Sequence, residues 1–253
     1  MLEHPPVKGK PVDFFVTCIV DMIYPQTGMS AVEVLERLGV TVRFPEAQTC
    51  CGQMGFNGGF REEAKAVAIH VLKVFQKSEV IVTPSGSCAA MVREYYPQLF
   101  EHDPLWREQA LRIASITWEL TEFIVDGLGI TDVKAALRRP RTFALHDSCH
   151  GLRGLGIKTQ PRALLQNLSN ATLSDLPGAE ECCGFGGLFA VKMPEISAAM
   201  LNHKVSHIEQ CPADLIVTCD ASCLTQINGG LSRCGSGKRV VHIADVLSGR
   251  IED

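Results

Sequence analysis

Eleven cysteines in a chain of 253 residues, eight of them spaced as two copies of one pattern, constrain this protein more than any other feature. Each copy is a lone cysteine, an adjacent pair about thirty residues later, and a further cysteine beyond that: Cys18, Cys50, Cys51 and Cys88, then Cys149, Cys182, Cys183 and Cys223. The copies keep nearly one register, since 149 − 18 gives 131, 182 − 50 gives 132 and 223 − 88 gives 135. Such self-similarity is the mark of an internal duplication. The cysteine count is odd and too sparse for a small disulfide scaffold, and the opening stretch lacks the apolar core of a secretion signal. Reduced thiols in a cytoplasmic protein, held for metal, are the expectation.

The residues between the cysteines predict an α/β fold. Val12 to Val16, Thr41 to Phe44 and Val80 to Thr83 read as strands. A helix carrying Ala31, Val32, Leu35 and Leu38 and another over Glu62 to Lys77 alternate with them, and 52 to 59 reads as a loop. A long helix is expected over Trp106 to Val125, followed by a basic connector from Lys134 to Arg141 in which Pro140 precedes a strand at Thr142 to Leu145. The domain boundary is placed there, giving domains 1–140 and 141–253. The second half repeats the order, with helices at Pro161 to Leu168 and Pro194 to Gln210 and a strand at Leu215 to Thr218. The ends correspond loosely, the stretch from Trp118 to Glu122 matching that from His242 to Val246. Strands alternating with helices imply a parallel sheet covered on both faces, with sites at the strands' carboxyl ends.

Four thiolates per half suit a cubane 4Fe-4S cluster and a structural zinc ion alike. The adjacent pair favours the cluster, because neighbouring cysteines reach two irons more readily than one small tetrahedral ion. One or two 4Fe-4S clusters are therefore expected, with zinc as the alternative. A net charge of -4 with scattered Lys and Arg offers no footprint for nucleic acid, and apolar runs such as Val80-Ile81-Val82 are too short for a membrane span.

Thr17-Cys18, Cys50-Cys51-Gly52, Pro84-Ser85-Gly86-Ser87-Cys88, His146-Asp147-Ser148-Cys149-His150, Cys182-Cys183-Gly184 and Cys219 to Cys223 together resemble the CCG cysteine-rich domain. That domain occurs twice in the cysteine-rich subunit of heterodisulfide reductases and in the iron-sulfur subunits of glycolate and lactate oxidation systems. The resemblance spans nearly the whole chain and implies two tandem Rossmann-like domains with the eight cysteines as cluster ligands. It also implies electron transfer within a cytoplasmic complex oxidising L-lactate to pyruvate, beside a ferredoxin-domain iron-sulfur subunit and a third subunit. The family pattern closes with Cys-x-x-Cys, and here Ser85 and Asp220 replace the first member. That departure argues against the disulfide-cleaving chemistry of the heterodisulfide reductase relatives, which stays as an alternative beside a purely structural or assembly role.

Several neighbours are candidates for the same sites. Ser85 and Asp220 either lend oxygen ligands or hydrogen-bond loop amides. His146 and His150 flank Cys149, placed to donate to a cluster sulfur or to ligate. Cys219 is within sequence reach of the second set, whereas Cys211 and Cys234 read as core or surface thiols. His203 and His207 are one helical turn apart but lack the glutamate of His-Glu-x-x-His, so they read as a plain helix face. The glycines at 151, 154 and 156 and from 184 to 187 follow no dinucleotide fingerprint and read as turns.

Overall fold

The structure, a computed structural model, describes residues 4–251. Strands β1 (Val12–Phe14), β2 (Val42–Arg43), β3 (Ile81–Thr83) and β4 (Thr117–Glu119) form a parallel sheet in the order β2-β1-β3-β4. Strands β5 (Ala136–His146), β6 (Ser169–Ser174), β7 (Leu215–Thr218) and β8 (Val240–His242) form a second one, β6-β5-β7-β8. The two orders are the same, as a duplication requires. In each sheet the chain moves first to one side of its opening strand and then to the other, leaving a crevice at the carboxyl ends between the first and third strands. The cysteine-bearing segments follow the first three strands of each half, and so surround that crevice.

The central strands are apolar, β-branched and buried on both faces, as in β3 and β7. Alternation still decides which side each residue serves. Phe14 enters a core shared by both sheets and Phe15 enters a separate core belonging to the first half. The shared core joins Val12, Phe14 and Val34 with Phe143, Leu145, Val217 and Ile243. Helices are exchanged symmetrically across it: Pro25–Arg37 packs on Ile243–Ser248, and Thr159–Gln166 packs on Leu120–Glu122. The halves come close at Gly86, where an added Cβ would lie 2.9 Å from Ser148 Oγ and 3.2 Å from Gly151 Cα.

Three segments differ from the sequence reading. The single helix expected over Trp106 to Val125 is a helix Pro104–Ile116, the strand β4 and a short helix Leu120–Glu122. Asp103 starts the first by accepting from Trp106 N, and β-branched Thr117 and aromatic Trp118, with Glu119, then pair with β3. The basic segment from Lys134 is not a plain connector, because β5 begins at Ala136 and passes Pro140 through a register shift between Ala136 and Arg141. The stretch 52–59 contains a helix, Gln53–Asn57. The ends also match one residue off the sequence register: Glu119 aligns with His242, each closing its strand and capping the next helix.

Charge is buried beside this junction. Arg93 Nη1 contacts Glu122 Oε2 at 2.7 Å, and Glu119 accepts from Thr121 N at 2.7 Å with its other oxygen unpartnered. Burial pushes the Glu119 carboxyl up to about 7 despite those donors.

Because the halves share a core, Leu35→Ala, at a fully buried position, is expected to cost about 2–5 kcal/mol and to lower the stability of both halves together. Both tryptophans, Trp106 and Trp118, lie in the first half, so urea transitions followed by tryptophan fluorescence and by circular dichroism should coincide. Separate transitions would refute a shared core. Glu119 gives a second expectation. From its ordinary range near 4.5 up to about 7 the folded chain keeps a proton that the unfolded chain has lost, so stability falls as pH rises through that window. Urea midpoints of Glu119→Gln should lose that slope.

Candidate metal centres

Each set of four thiols is assembled by three strand ends. In the first half Cys18 opens a short helix (Cys18–Ile23) after β1, following Thr17 at φ 72. A non-glycine residue in that region is strained by about 1–3 kcal/mol, a cost that recurs at functional sites. Cys50 and Cys51 lie on the loop after β2, which turns at Gly52, φ 82, against the helix Arg61–Val74, where a Cβ would meet Val67 at 3.3 Å. Cys88 lies in the helix Gly86–Ala90 after β3. The result places Cys18 Sγ 3.5 Å from Cys50 Sγ and Cys51 Sγ 3.2 Å from Cys88 Sγ.

The second half repeats the arrangement. Cys149 follows β5 and interacts with Cys182, and Cys183 Sγ lies 3.4 Å from Cys223 Sγ. Gly184 makes the turn at φ 85, where a Cβ would come within 2.6 Å of the Ser197 carbonyl. In both halves the amide after the pair points at its first sulfur, Gly52 N to Cys50 Sγ and Gly184 N to Cys182 Sγ, each at 3.4 Å. All eight thiols are free. The first thiol of each adjacent pair is held well below the ordinary thiol range. Cys18 and Cys51 donate to Cys50, Cys149 and Cys183 donate to Cys182, and these donors outweigh burial.

Residues without any sequence signal hold the loops in place. Gln48 continues the ladder beyond β1, accepting from Val16 N at 2.9 Å and donating to the Phe14 carbonyl at 3.0 Å. Buried Tyr96 donates to the Cys51 carbonyl at 2.8 Å, and Gln53 to that of Ser87 at 2.9 Å. Lys204, fully buried, donates to the carbonyl of Gly178 on the loop before Cys182.

Ser85 and Asp220 occupy equivalent places, capping the helices that carry Cys88 and Cys223. Ser85 Oγ accepts from Cys88 N at 3.3 Å and donates to Asp220 Oδ2 at 3.2 Å. Asp220 also accepts from Ser222 N at 3.0 Å and, across the halves, from Ser87 N at 2.8 Å. Both side chains thus bond loop amides and each other.

His146 is brought into the second set, its ring within 4.8 Å of the sulfurs of Cys183 and Cys223. It is 1% exposed and neither ring nitrogen has a hydrogen-bond partner. The Ala179 carbonyl is near enough to favour a proton slightly, but outside hydrogen-bond geometry. Burial, then the charge of Lys204, lower the imidazole to about 3. His150 Nδ1 lies 3.7 Å from Cys149 Sγ, with its ring edge-on to Tyr95 of the first half. Cys219 is not brought into the set. It faces the shared core, in a cavity with Glu119 and Asp147. Cys211 is buried in the second half's own core and Cys234 is exposed.

The halves differ in what surrounds their thiols. Phe15 stands three residues before Cys18, where His146 stands before Cys149. A Cβ added at Gly52 would meet Ala64 and Val67 as one at Gly184 would meet Ser197 and Met200, and 197 − 64 and 200 − 67 both give 133, which matches Lys204 with Val71. The first set therefore has apolar Phe15 and Val71 where the second has a buried imidazole and ammonium. A cleft over the first set is closed by both halves, with Cys18, Cys51 and Cys88 facing Phe185, Asp220 and Ser222.

Four soft thiol donors per half, one of them held below the ordinary thiol range, and in the second half an imidazole left without a partner among them, fit a thiophilic metal ion or metal-sulfur cluster. No carboxylate-rich set competes at these positions. Among the described residues no helix is long and apolar enough to cross a membrane.

The cysteine-rich domain CCG matches residues 12–93 and 143–228, the two segments that carry these sets. Lactate utilization protein A of Geobacillus kaustophilus is 48% identical over 239 residues, covering 94% of this chain and 99% of that protein. The protein of the same name from Bacillus pumilus is 50% identical over 239 residues with the same coverage. A hypothetical protein from Helicobacter pylori shares the fold at 10% identity and a TM-score of 0.63, with all of this chain covering 52% of it. The chain belongs to the CCG cysteine-rich domain family, carrying the domain twice, and is similar along nearly its whole length to proteins named lactate utilization protein A.

Proposed function

We propose that this chain is the electron-transfer subunit of a cytoplasmic L-lactate-oxidising complex, with Cys18, Cys50, Cys51 and Cys88 holding one iron-sulfur cluster and Cys149, Cys182, Cys183 and Cys223 a second. The observation that carries the reading is the convergence of two equivalent sets of four free thiols at two sheet crevices. Bound there, a 4Fe-4S cluster takes up and releases one electron at a time. The protein's part is to supply thiolates, aim the Gly52 and Gly184 amides at them, and hold the loops. Oxidation of lactate to pyruvate releases two electrons and two protons. The chain shows no flavin or nicotinamide fingerprint, so lactate is oxidised on a partner, and a ferredoxin-domain subunit and a third subunit fill that need. Exposed Met54 and Phe60 beside the first set, with Val191 and Met193 on and after the helix Phe189–Lys192 that reaches Gly58, offer an apolar surface for such a partner.

Zinc is the second reading, favoured by one observation. Sulfur contacts of 3.2–3.5 Å are nearer the edge of a single ZnS4 tetrahedron, about 3.8 Å for zinc-sulfur bonds of about 2.3 Å, than the wider spread around a cubane.

Metal analysis separates the two. Anaerobically purified protein co-expressed with its partners is expected to carry about four iron and four sulfide per set, with a reducible low-temperature EPR signal. Cys51→Ser and Cys183→Ser should each remove roughly half of both. One zinc per set, without sulfide, would sink the reading. The lactate assignment fails separately if deletion of the gene leaves growth on L-lactate unchanged.

The unequal surroundings give a further expectation. Adding an electron adds negative charge, which a buried ammonium and an imidazole donor stabilise, so the second set should have the higher midpoint potential. Lys204→Met and His146→Phe should lower that midpoint and leave the other in place, measured by EPR-monitored redox titration.

A further inference from the structure

Outside the thiol sets, the second half brings together His203 and His207, which their spacing alone marks as a plain helix face, and Glu181. His203 and His207 lie one turn apart on the helix Pro194–Gln210, and Glu181, immediately before Cys182, lies against them. Oε2 of Glu181 is 3.3 Å from Nδ1 of His203 and 3.4 Å from Nδ1 of His207, with the two rings 4.4 Å apart. Ligands about 2.0–2.1 Å from a tetrahedral zinc ion lie about 3.3–3.4 Å from one another, so both measured edges are those of such a site. Neither contact is a hydrogen bond, and Nδ1 of His207 is enclosed without a partner. The neighbouring backbone leaves the place clear only because residue 178 is glycine. At φ 62, a Cβ there would fall 2.4 Å from His207 Nδ1 and 2.7 Å from Glu181 Oε2.

We propose that Glu181, His203 and His207 form a site for a divalent cation of the zinc class, with its fourth position open to water, that fastens the Cys182-Cys183-Gly184 loop to the helix Pro194–Gln210. The first half shows what the site replaces. At the offset of 133, His203 corresponds to His70, which ties its own loop directly, Nε2 lying 2.7 Å from the carbonyl of Ala47. His207 corresponds to Val74, and no such bond links His203 to its loop. Lys204 holds the loop from the inner side of the helix, through Gly178, and the three ligands face the outer side. Side-chain exposures of 63% for His203 and 48% for Glu181 leave the site open to a cation from solvent.

The site is independent of what the cysteines hold, and the test keeps the two apart. Full-length protein, purified anaerobically with its cysteine sites loaded, is titrated with zinc by calorimetry, and the bound zinc is examined by X-ray absorption. One equivalent is expected, with a nitrogen and oxygen shell at about 2.0 Å. His203→Ala with His207→Ala, and separately Glu181→Gln, should weaken binding by about tenfold or more while iron, sulfide and circular dichroism stay as in the parent. Equal zinc binding by parent and variants overturns the site. So does a sulfur shell at about 2.3 Å on the zinc taken up in the titration, after subtraction of the spectrum of any zinc present beforehand, because it would put the added zinc in the cysteine sets. Absence of saturable binding overturns it as well.

Discussion

A carboxylate with almost no access to solvent, that of Asp220, joins the two halves where their functional helices begin. One of its oxygens accepts from Ser222 N in its own helix and the other from Ser87 N and Ser85 Oγ in the opposite half. A buried anion is tolerated only when donors satisfy it, and here the donors are amides at the starts of the helices that carry Cys88 and Cys223. Orienting that carboxylate therefore orients both helices. The close approach of Gly86 to Gly151 and the bond between His242 Nε2 and the Pro84 carbonyl, at 3.0 Å, continue the same seam. Ser85 and Asp220 thus form a polar contact between the two halves.

Duplication made two similar sites, and the packing made them unequal. Both sets use the same strand ends, the same glycine turn and the same amide-to-sulfur contact. Around them, the first half is lined by Phe15 and Val71, and the second by His146 and Lys204. In a medium of low dielectric a charge or an unpartnered dipole has far more effect than at the surface, so these two differences separate the sites electrically. On the electron-transfer function proposed above, such a difference would give transfer between the two centres a direction.

Much of the plan was legible in the sequence because it rests on local periodicity and on repeated spacing. The helix Pro194–Gln210 and the strand Leu215–Thr218 fall where the apolar pattern puts them, and the cysteine register announced the repeat. Strand β4 was hidden inside a helical pattern, since its only distinguishing interaction is the ladder with β3. Strand β6, Ser-Asn-Ala-Thr-Leu-Ser, is a largely polar edge with no alternation to read. Gln48, Tyr96 and Lys204 carry no motif, and their importance appears only in the loop carbonyls and amides they hold.

The sequence by itself determined the α/β class, the duplication, the family and which eight cysteines form the two sets, because spacing and residue type survive in one dimension. Only the tertiary structure decided what lies beside those sets. It put His146 among the second set's sulfurs, turned Cys219 away into the shared core, joined Ser85 to Asp220 across the seam and brought Glu181 to His203 and His207. Each of these depends on contacts between segments far apart in the chain or on which way a side chain leaves its element, and neither is set by local pattern.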